Sequence, residues 1–131
     1  MVERRGDVIY MDPANYQRFD SFADRVSALD TAGMADTFHA LRPWYESAYE
    51  KLGLDPGDLD NAIMRALDLV LATPEIGEPI ALNAKSVLYV YADPALESLP
   101  ALQKQLLRMG PDNIRRIKQQ AQALRDVLLA R

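Results

Sequence analysis

Proline interrupts this chain at short intervals, and that spacing limits the length of any helix or strand. Eight of the 131 residues are prolines, at positions 13, 43, 56, 74, 79, 94, 100 and 111. Proline fixes φ and cannot donate the hydrogen bond of a helix interior, so each one starts an element or ends the one before it. The chain therefore predicts short elements joined by tight corners, in an orthogonal arrangement and not as long parallel helices.

Between the prolines, apolar residues recur at spacings of three and four, the pattern of a helix with one buried face. Helices are predicted over residues 13–29, 31–52, 58–73 and 94–109, and a last helix begins at Pro111. Pro43 is expected to kink or divide the second of these. The expected buried stripe of that second helix is Met34, Phe38, Leu41, Tyr45, Ala48 and Leu52.

Strand signals are few. Residues 6–11 are rich in β-branched and aromatic side chains and predict an extended arm or short strand. Residues 80–82 are apolar and offer a partner for residues 8–10. Residues 86–91 (SVLYVY) have a strand-like composition but lie between helical segments, and a run this short is compatible with either structure.

These patterns predict one domain with a mainly α fold. We expect a compact orthogonal bundle of five or six short helices, with room for a small two-stranded β pair between residues 8–10 and 80–82. Residues 1–12 would be an extended arm or short strand, and residues 13–131 the helical body. A length of 131 residues fits a single domain that can bury its own core.

The composition is that of a soluble globular protein, with 49% hydrophobic and 26% charged residues. No apolar run approaches the roughly 18 residues that a membrane-spanning helix needs. Cysteine is absent from the sequence, which excludes disulfides and thiolate metal sites. We therefore expect residues 1–131 to be soluble.

Charge is distributed unevenly along the chain. Residues 101–131 contain seven basic and two acidic residues, a net charge of +5, whereas residues 1–100 contain eight basic and seventeen acidic residues, a net charge of −9. Such a change of sign indicates either an anion-binding segment or two segments that attract each other. We favour mutual attraction, because charge complementarity within a fold is common.

The corner Met109-Gly110-Pro111 between the last two helices matches the second half of a helix-hairpin-helix motif, which holds a DNA phosphate at a helix N-terminus. Against this, Arg108 occupies the position of the motif's first glycine, and Asp112 would lie near the phosphate. The other interpretation is a glycine C-cap followed by proline at the first helical position. If the corner binds nucleic acid, the contacts would be Gly110, Arg108, Arg115, Arg116 and Lys118.

No signature of catalysis or metal binding is present in the sequence. His39 is the only histidine, so a multi-histidine zinc site is excluded, and no serine lies in a G-x-S-x-G elbow. Asp58 and Asp60 lack the third ligand and the glycine of a calcium-binding loop, and capping of a helix explains them. We therefore predict a protein that is not an enzyme and binds no cofactor.

The aromatic residues around the Pro43 corner are the best candidates for a functional surface. Trp44, Tyr45 and Tyr49 lie together in sequence, and Tyr45 and Tyr49 are one helical turn apart. Aromatic side chains dominate protein interfaces, although they also fill cores. We predict these three as a partner surface, with an aromatic pocket for a small molecule near Trp44 as a weaker hypothesis.

Two runs near the C-terminus resemble a bacterial family called domain of unknown function 3014. They are Ala92-Asp93-Pro94-Ala95-Leu96-Glu97 and Gln103-Lys104-Gln105-Leu106-Leu107-Arg108-Met109-Gly110-Pro111-Asp112-Asn113. The most specific part is Leu107 to Pro111 with Asn113. Shorter matches occur at Tyr16 to Asp20, Ala48-Tyr49-Glu50, Leu52-Gly53 and Leu71-Ala72-Thr73-Pro74. The resemblance extends from about residue 8 to about residue 125.

The resemblance implies a soluble domain that follows an N-terminal membrane helix, with no established activity. Residues 1–131 contain no such helix, so we expect a tether only in the parent protein, facing the periplasmic side of the cell envelope. The expected function is a non-enzymatic interaction or scaffold domain that binds a protein partner, and the alternative is nucleic-acid binding at Met109 to Pro111. Within the family motif, we also expect Arg108 to pair with Asp93 or Glu97.

Overall fold

The computed structural model describes residues 2–85 and 88–130, which form an α+β fold. The strands are β1 (Val2–Arg5), β2 (Val8–Met11), β3 (Ala81–Lys85) and β4 (Leu88–Tyr91). A 3-10 helix (Pro13–Phe19) follows β2. The α-helices are α1 (Asp20–Ser27), α2 (Thr31–Ala40), α3 (Arg42–Lys51), α4 (Asp58–Ala72), α5 (Pro94–Glu97), α6 (Ala101–Leu107) and α7 (Pro111–Leu129).

The four strands form one antiparallel sheet in the order β1-β2-β3-β4. The prediction of a mainly α bundle with at most a two-stranded pair is therefore wrong. The expected pairing of residues 8–10 with 80–82 is present, since Ile9 lies opposite Leu82, but it forms only the middle of the sheet. β1 joins because Gly6, at φ +65°, allows a two-residue turn before β2.

The ambiguous segment at residues 86–91 is also part of this sheet. Residues 88–91 form β4, which pairs with β3 so that Tyr91 lies opposite Leu82, while residues 86 and 87 lie outside the described part of the chain. The strand-like composition was therefore the correct signal, and the helical neighbours were misleading. β3 contains most of the predicted strand at residues 80–82, and β4 lies in the segment that was compatible with either structure, so two strands interrupt the helical body expected over residues 13–131.

Aspartates followed by a helical turn explain where several helices begin. The Asp12 carboxylate accepts a hydrogen bond from Ala14 N at 2.9 Å, Asp30 accepts from Gly33 N at 3.1 Å, and Asp93 accepts from Ala95 N at 2.9 Å. Pro43 divides the predicted second helix into α2 and α3, with Leu41 between them. Gly53, at φ +75°, follows the end of α3.

The core lies between one face of the sheet and helices α6 and α7. Leu107 and Ile114 are each only 1% exposed, and they belong to a cluster that includes Met11, Leu82 and Tyr91 from the sheet. α7 also packs against α1, α2 and α4. This long helix therefore connects the sheet side of the domain to the α2–α4 side.

The corner before α7 is packed tightly against the 3-10 helix. Gly110 has φ +88° and ψ 159°, and a Cβ atom there would lie 2.8 Å from Tyr16 Cβ and closer still to the Tyr16 ring. The buried Asn113 amide donates hydrogen bonds to Tyr16 O at 3.0 Å and to Asp20 Oδ1 at 2.9 Å. Gly110 and Asn113, two residues of the family motif, thus fix α7 against the N-terminal third of the chain.

The stripe expected to be buried along residues 34–52 is largely exposed. The exposed fraction is 41% for Met34, 51% for Leu41 and 74% for Leu52. Phe38 and Tyr45 are half-buried and stack on each other across the α2–α3 corner, with ring centroids 4.9 Å apart. The apolar periodicity is real, but only part of that face is covered by the rest of the fold.

Candidate functional site

The predicted partner surface on α3 is split by the structure. Trp44 is 75% exposed, whereas Tyr45 and Tyr49 are half-buried. The Tyr45 hydroxyl lies 3.2 Å from Asp60 Oδ1 and donates to it, so this side chain is directed toward α4. Of the three predicted residues, Trp44 is therefore the one whose side chain is exposed.

Arg42 holds the α2–α3 corner against α4. Its Nη1 atom lies 2.8 Å from Asp60 Oδ2 and 3.4 Å from Glu46 Oε1, and its guanidinium is 5.7 Å from the ring centroids of both Phe38 and Tyr45. Burial, followed by the nearby Asp60 carboxylate, raises the pKa of Tyr45. These contacts hold the start of α3, the helix that carries Trp44, against α4.

An open apolar groove of about 700 Å³ lies beside Trp44, between α2, α4 and α7. Its lining is Asp30, Gly33, Met34, Thr37, Phe38, Leu41, Ile63, Leu124 and Leu128. We call it the α2–α4–α7 groove. Trp44 N donates to Leu41 O at 2.9 Å, so the backbone of Trp44 lies one turn after a groove residue. The indole of Trp44 is exposed. Exposed apolar surface of this kind marks interaction sites.

Two of the three helices around the groove come from an acidic segment. Residues 30–72, which span α2 to α4, carry eight acidic and three basic side chains, a net charge of −5, whereas α7 belongs to the basic C-terminal segment. Among the described lining residues, Asp30 is the charged one. A carboxylate at the edge of an apolar recess favours apolar partners that carry positive charge.

The predicted anion contacts around the Met109–Pro111 corner are mostly paired with carboxylates. Arg115 lies 3.3 Å from Asp112, Arg116 pairs with Asp24, and Lys118 lies 3.8 Å from Glu75. Gly110 is buried against Tyr16. Arg115, Arg116 and Lys118 therefore lie on α7 and Arg108 follows α6, but three of these four cations already have acidic neighbours.

Several of these ion pairs join α7 to the acidic first hundred residues. Besides Arg116 and Lys118, Arg125 reaches Asp68 on α4 at 3.1 Å. Each such exposed pair is worth only about 0–1 kcal/mol. Their arrangement agrees with mutual attraction between the basic C-terminal segment and the acidic remainder.

A second recess, which we call the sheet–helix cleft, lies between the sheet, the 3-10 helix and α6. Its volume is about 560 Å³. The buried residues Met11, Leu82 and Tyr91 line it, so it reaches down to the core. The remaining lining residues are Val2, Asn15, Arg18, Phe19, Leu88, Tyr89, Glu97, Lys104, Gln105 and Arg108.

In the sheet–helix cleft, the carboxylate of Glu97 is engaged by groups other than the two arginines, and no described carboxylate pairs with Arg18 or Arg108. Glu97 Oε2 accepts from Tyr91 N at 2.8 Å and Glu97 Oε1 lies 3.4 Å from Lys104 Nζ, so both carboxylate oxygens are engaged. These contacts, the backbone hydrogen bond first, lower the pKa of Glu97. Arg108 interacts with the Tyr91 hydroxyl, not with Asp93 or Glu97 as expected. Asp93 instead caps α5.

Sequence reasoning missed this cleft, although it singled out part of it. Glu97 and Arg108 belong to the family motif and Tyr91 directly precedes it, whereas Arg18 comes from the shorter match at Tyr16 to Asp20, far away in the chain. The only sequence signal was the concentration of motif residues around α5 and α6. Burial raises the pKa of Tyr91, and Arg108 partly offsets that effect.

The residues that the sequence offered for catalysis or metal binding include His39 and Asp60. No group of three or more potential metal ligands is found in residues 2–85 and 88–130. His39 is half-buried, contacts the Phe38 ring edge-on at 5.8 Å, and its Nε2 atom has no hydrogen-bond partner there. Asp60 is held by Arg42 and Tyr45. Across the same residues, no helix is long and apolar enough to cross a membrane.

Fold and surface define an α+β domain with an apolar groove on one side and a cationic cleft beside its sheet. Residues 1–125 match the family model described as protein of unknown function (DUF3014), and the chain belongs to that family. This confirms the resemblance seen in the sequence. No curated protein and no solved structure matches the chain.

Proposed function

We propose that this domain is a non-enzymatic protein-interaction domain whose α2–α4–α7 groove holds a basic amphipathic helix of a partner protein. The observation that carries the proposal is the exposure of Met34, Leu41 and Trp44 in and beside an apolar groove. Burying such side chains against a partner removes apolar area from water, at about 25 cal/mol per Å².

The shape of the groove favours a helix as the occupant. Grooves between packed helices accept an amphipathic helix that inserts apolar residues at positions i, i+3, i+4 and i+7. Leu124 and Leu128 of α7 are one turn apart, and they line the groove together with Met34 of α2 and Leu41, which follows α2. α7 packs against both α2 and α4, so a partner helix would lie along the open side of the groove.

Charge decides which helices are accepted. The net charge of −5 over residues 30–72 attracts lysine and arginine residues that flank an apolar face. Trp44 is exposed and follows the groove residue Leu41 by one helical turn, and it is the kind of large side chain that carries much of the binding energy in protein interfaces. An acidic amphipathic helix would meet repulsion from the same surface.

Trp44 is the only tryptophan, so its fluorescence reports directly on this surface. The protein would be titrated with a designed helical peptide that carries leucine at the four anchor positions and lysine elsewhere. Two matched peptides, one with glutamate for lysine and one with a scrambled order, serve as controls. We expect a saturable blue shift with the lysine peptide alone.

Two leucines form a matched pair of variants for this experiment. Leu41 and Leu52 each follow the last residue of a helix with nearly equal dihedral angles, φ −87° and ψ −1° against φ −86° and ψ 0°, and both are exposed. Only Leu41 lines the groove. Leu41→Asn should abolish the blue shift, and Leu52→Asn should leave it unchanged.

Three results would overturn the proposal. Equal binding of the lysine and glutamate peptides would show that charge does not determine which peptide binds. Equal loss in Leu41→Asn and Leu52→Asn would remove the role of the groove. Self-association seen by analytical ultracentrifugation, and lost in Leu41→Asn, would mean that a second copy of the chain occupies the groove.

We also propose that the domain acts at the cell envelope, on the periplasmic side, through a tether in the parent protein. This rests on the family resemblance alone. Protease treatment of spheroplasts that express the native gene would test it, because a periplasmic domain is degraded while a cytoplasmic one is protected. Nucleic-acid binding at Met109 to Pro111 stays a hypothesis from the sequence, with its basic residues largely paired.

A further inference from the structure

We infer that the sheet–helix cleft binds a small amphiphilic anion, a carboxylate or phosphate group on an apolar body. This site is separate from the α2–α4–α7 groove, because the two recesses share no lining residue. The inference therefore stands or fails independently of the proposed protein partner.

The charge of the cleft selects an anion. Arg18, Lys104 and Arg108 line it together with a single acidic residue, Glu97. Glu97 is engaged by Lys104 and by the Tyr91 amide. The guanidinium groups of Arg18 and Arg108 therefore remain to meet an anionic ligand. Neither Arg18 nor Arg108 forms an ion pair with a carboxylate among residues 2–85 and 88–130.

The contacts that these arginines do make are with uncharged groups. The Arg18 guanidinium lies 5.8 Å from the centroid of the Phe19 ring, and Arg108 interacts with the Tyr91 hydroxyl. The same hydroxyl donates to Lys104 O at 2.9 Å, so its oxygen is free to accept from Arg108. These contacts orient the guanidinium groups without neutralising them. A guanidinium is well suited to bidentate recognition of carboxylate or phosphate.

The base of the cleft is apolar and favours a ligand whose body is apolar. Met11, Leu82 and Tyr91 are each less than 9% exposed and belong to the core, while Phe19 and Leu88 stand at the sides. A volume of about 560 Å³ falls within the range of small-molecule sites, roughly 300–1,000 Å³. The cleft thus combines an apolar base with a cationic mouth, which matches an amphiphile and not a bare inorganic ion.

Binding would be measured by ¹H–¹⁵N NMR titration with octanoate, octyl phosphate, octanol, acetate and inorganic phosphate. We expect octanoate or octyl phosphate to shift the amides of Met11, Leu82 and Tyr91, with a dissociation constant of about 1 mM for so small a probe. Whichever of the two binds more tightly identifies the anionic group. Octanol, acetate and inorganic phosphate should bind at least about tenfold more weakly.

Variants that each remove one positive charge test whether octanoate binds in the cleft. Arg18→Gln and Arg108→Gln should each weaken octanoate binding about tenfold. Arg115→Gln removes the same charge from an exposed residue outside the cleft and should leave binding unchanged. Leu41→Asn, which tests the groove, should also leave it unchanged. Circular dichroism of each variant checks that the fold is retained.

The inference is overturned if octanol binds as tightly as octanoate, or if Arg115→Gln weakens binding as much as Arg108→Gln. It is also overturned if no probe shifts the cleft amides at concentrations of about 10 mM, ten times the expected constant. Shifts that are confined to Met34, Leu41 and Leu128 would show that the probes bind only in the apolar groove.

Discussion

Replacing Gly110 with alanine should destabilise the domain more than the same change at any open glycine. Two costs add at this position. The dihedral angles φ +88° and ψ 159° lie in a region that is essentially restricted to glycine, which costs about 1–3 kcal/mol. The added Cβ atom also overlaps the Tyr16 ring, and such overpacking costs about 1–3 kcal/mol. The expected loss in the free energy of unfolding is therefore about 2–6 kcal/mol.

Gly53 provides a control that separates the two costs. Its φ is +75°, but no atom lies within 4 Å of the position that a Cβ would take. Gly53→Ala should therefore show backbone strain alone, about 1–2 kcal/mol. The difference between the two alanine variants contains the contact with Tyr16 together with any difference in backbone strain, and the double-mutant cycle isolates the contact.

Urea unfolding followed by far-UV circular dichroism is the appropriate assay. A double-mutant cycle adds Tyr16→Ala, which removes the ring that the new Cβ would strike. In that background Gly110→Ala should cost about 1–3 kcal/mol less than in the natural protein. If Gly110→Ala costs no more than Gly53→Ala, or if Tyr16→Ala does not reduce its cost, the packed corner is not a determinant of stability.

Three further results are expected. Asn113→Ala should lower the free energy of unfolding by about 1–3 kcal/mol in urea, because Tyr16 O and Asp20 lose a buried donor; an unchanged midpoint would contradict this. Glu97→Gln should be less stable than the natural protein above about pH 5. The pKa of Glu97 is lowered in the fold, so its contribution is lost as the pH falls through that lowered pKa, and the urea midpoints of the two proteins should converge at pH values below the ordinary glutamate range; a constant difference would refute the assignment. A labelled DNA duplex should show no change in anisotropy even at low salt, whereas salt-sensitive binding that is lost in Arg115→Glu/Arg116→Glu would restore the nucleic-acid hypothesis.

Local chemistry made the helices predictable. Asp12, Asp30 and Asp93 accept hydrogen bonds from backbone amides within the next three residues, and the sequence shows each of them at the start of a helical pattern. Pro43 divides a helix, as its fixed φ requires. Such contacts reach only a few residues along the chain, so they can be seen without knowledge of the fold.

The sheet was only half predictable, because strands depend on partners that are distant in sequence. β1 has the sequence VERR, which contains too few apolar residues to indicate a strand. It becomes one by pairing with β2 across the Gly6 turn. β4 was ambiguous until its pairing with β3 decided it. Without β1 and β4, the fold seemed mainly helical.

The candidate sites depend even more on tertiary structure. Trp44 is exposed and its role in a partner surface stays a prediction, whereas periodicity could not show that Met34 and Leu41 would stay exposed. Periodicity identifies an apolar face of a helix and not what covers it. The sheet–helix cleft unites Arg18, Tyr91 and Arg108, which no spacing in the sequence connects.

The sequence by itself determined the positions of most helices, the corners between them and membership of the DUF3014 family. Proline, glycine and capping aspartates act within a few residues, so their effects can be predicted from the local sequence. Only the tertiary structure decided that four strands form one sheet, that part of the α2–α3 face stays uncovered, and that two arginines share a cleft. Those outcomes depend on which segments, tens of residues apart, exclude water from one another.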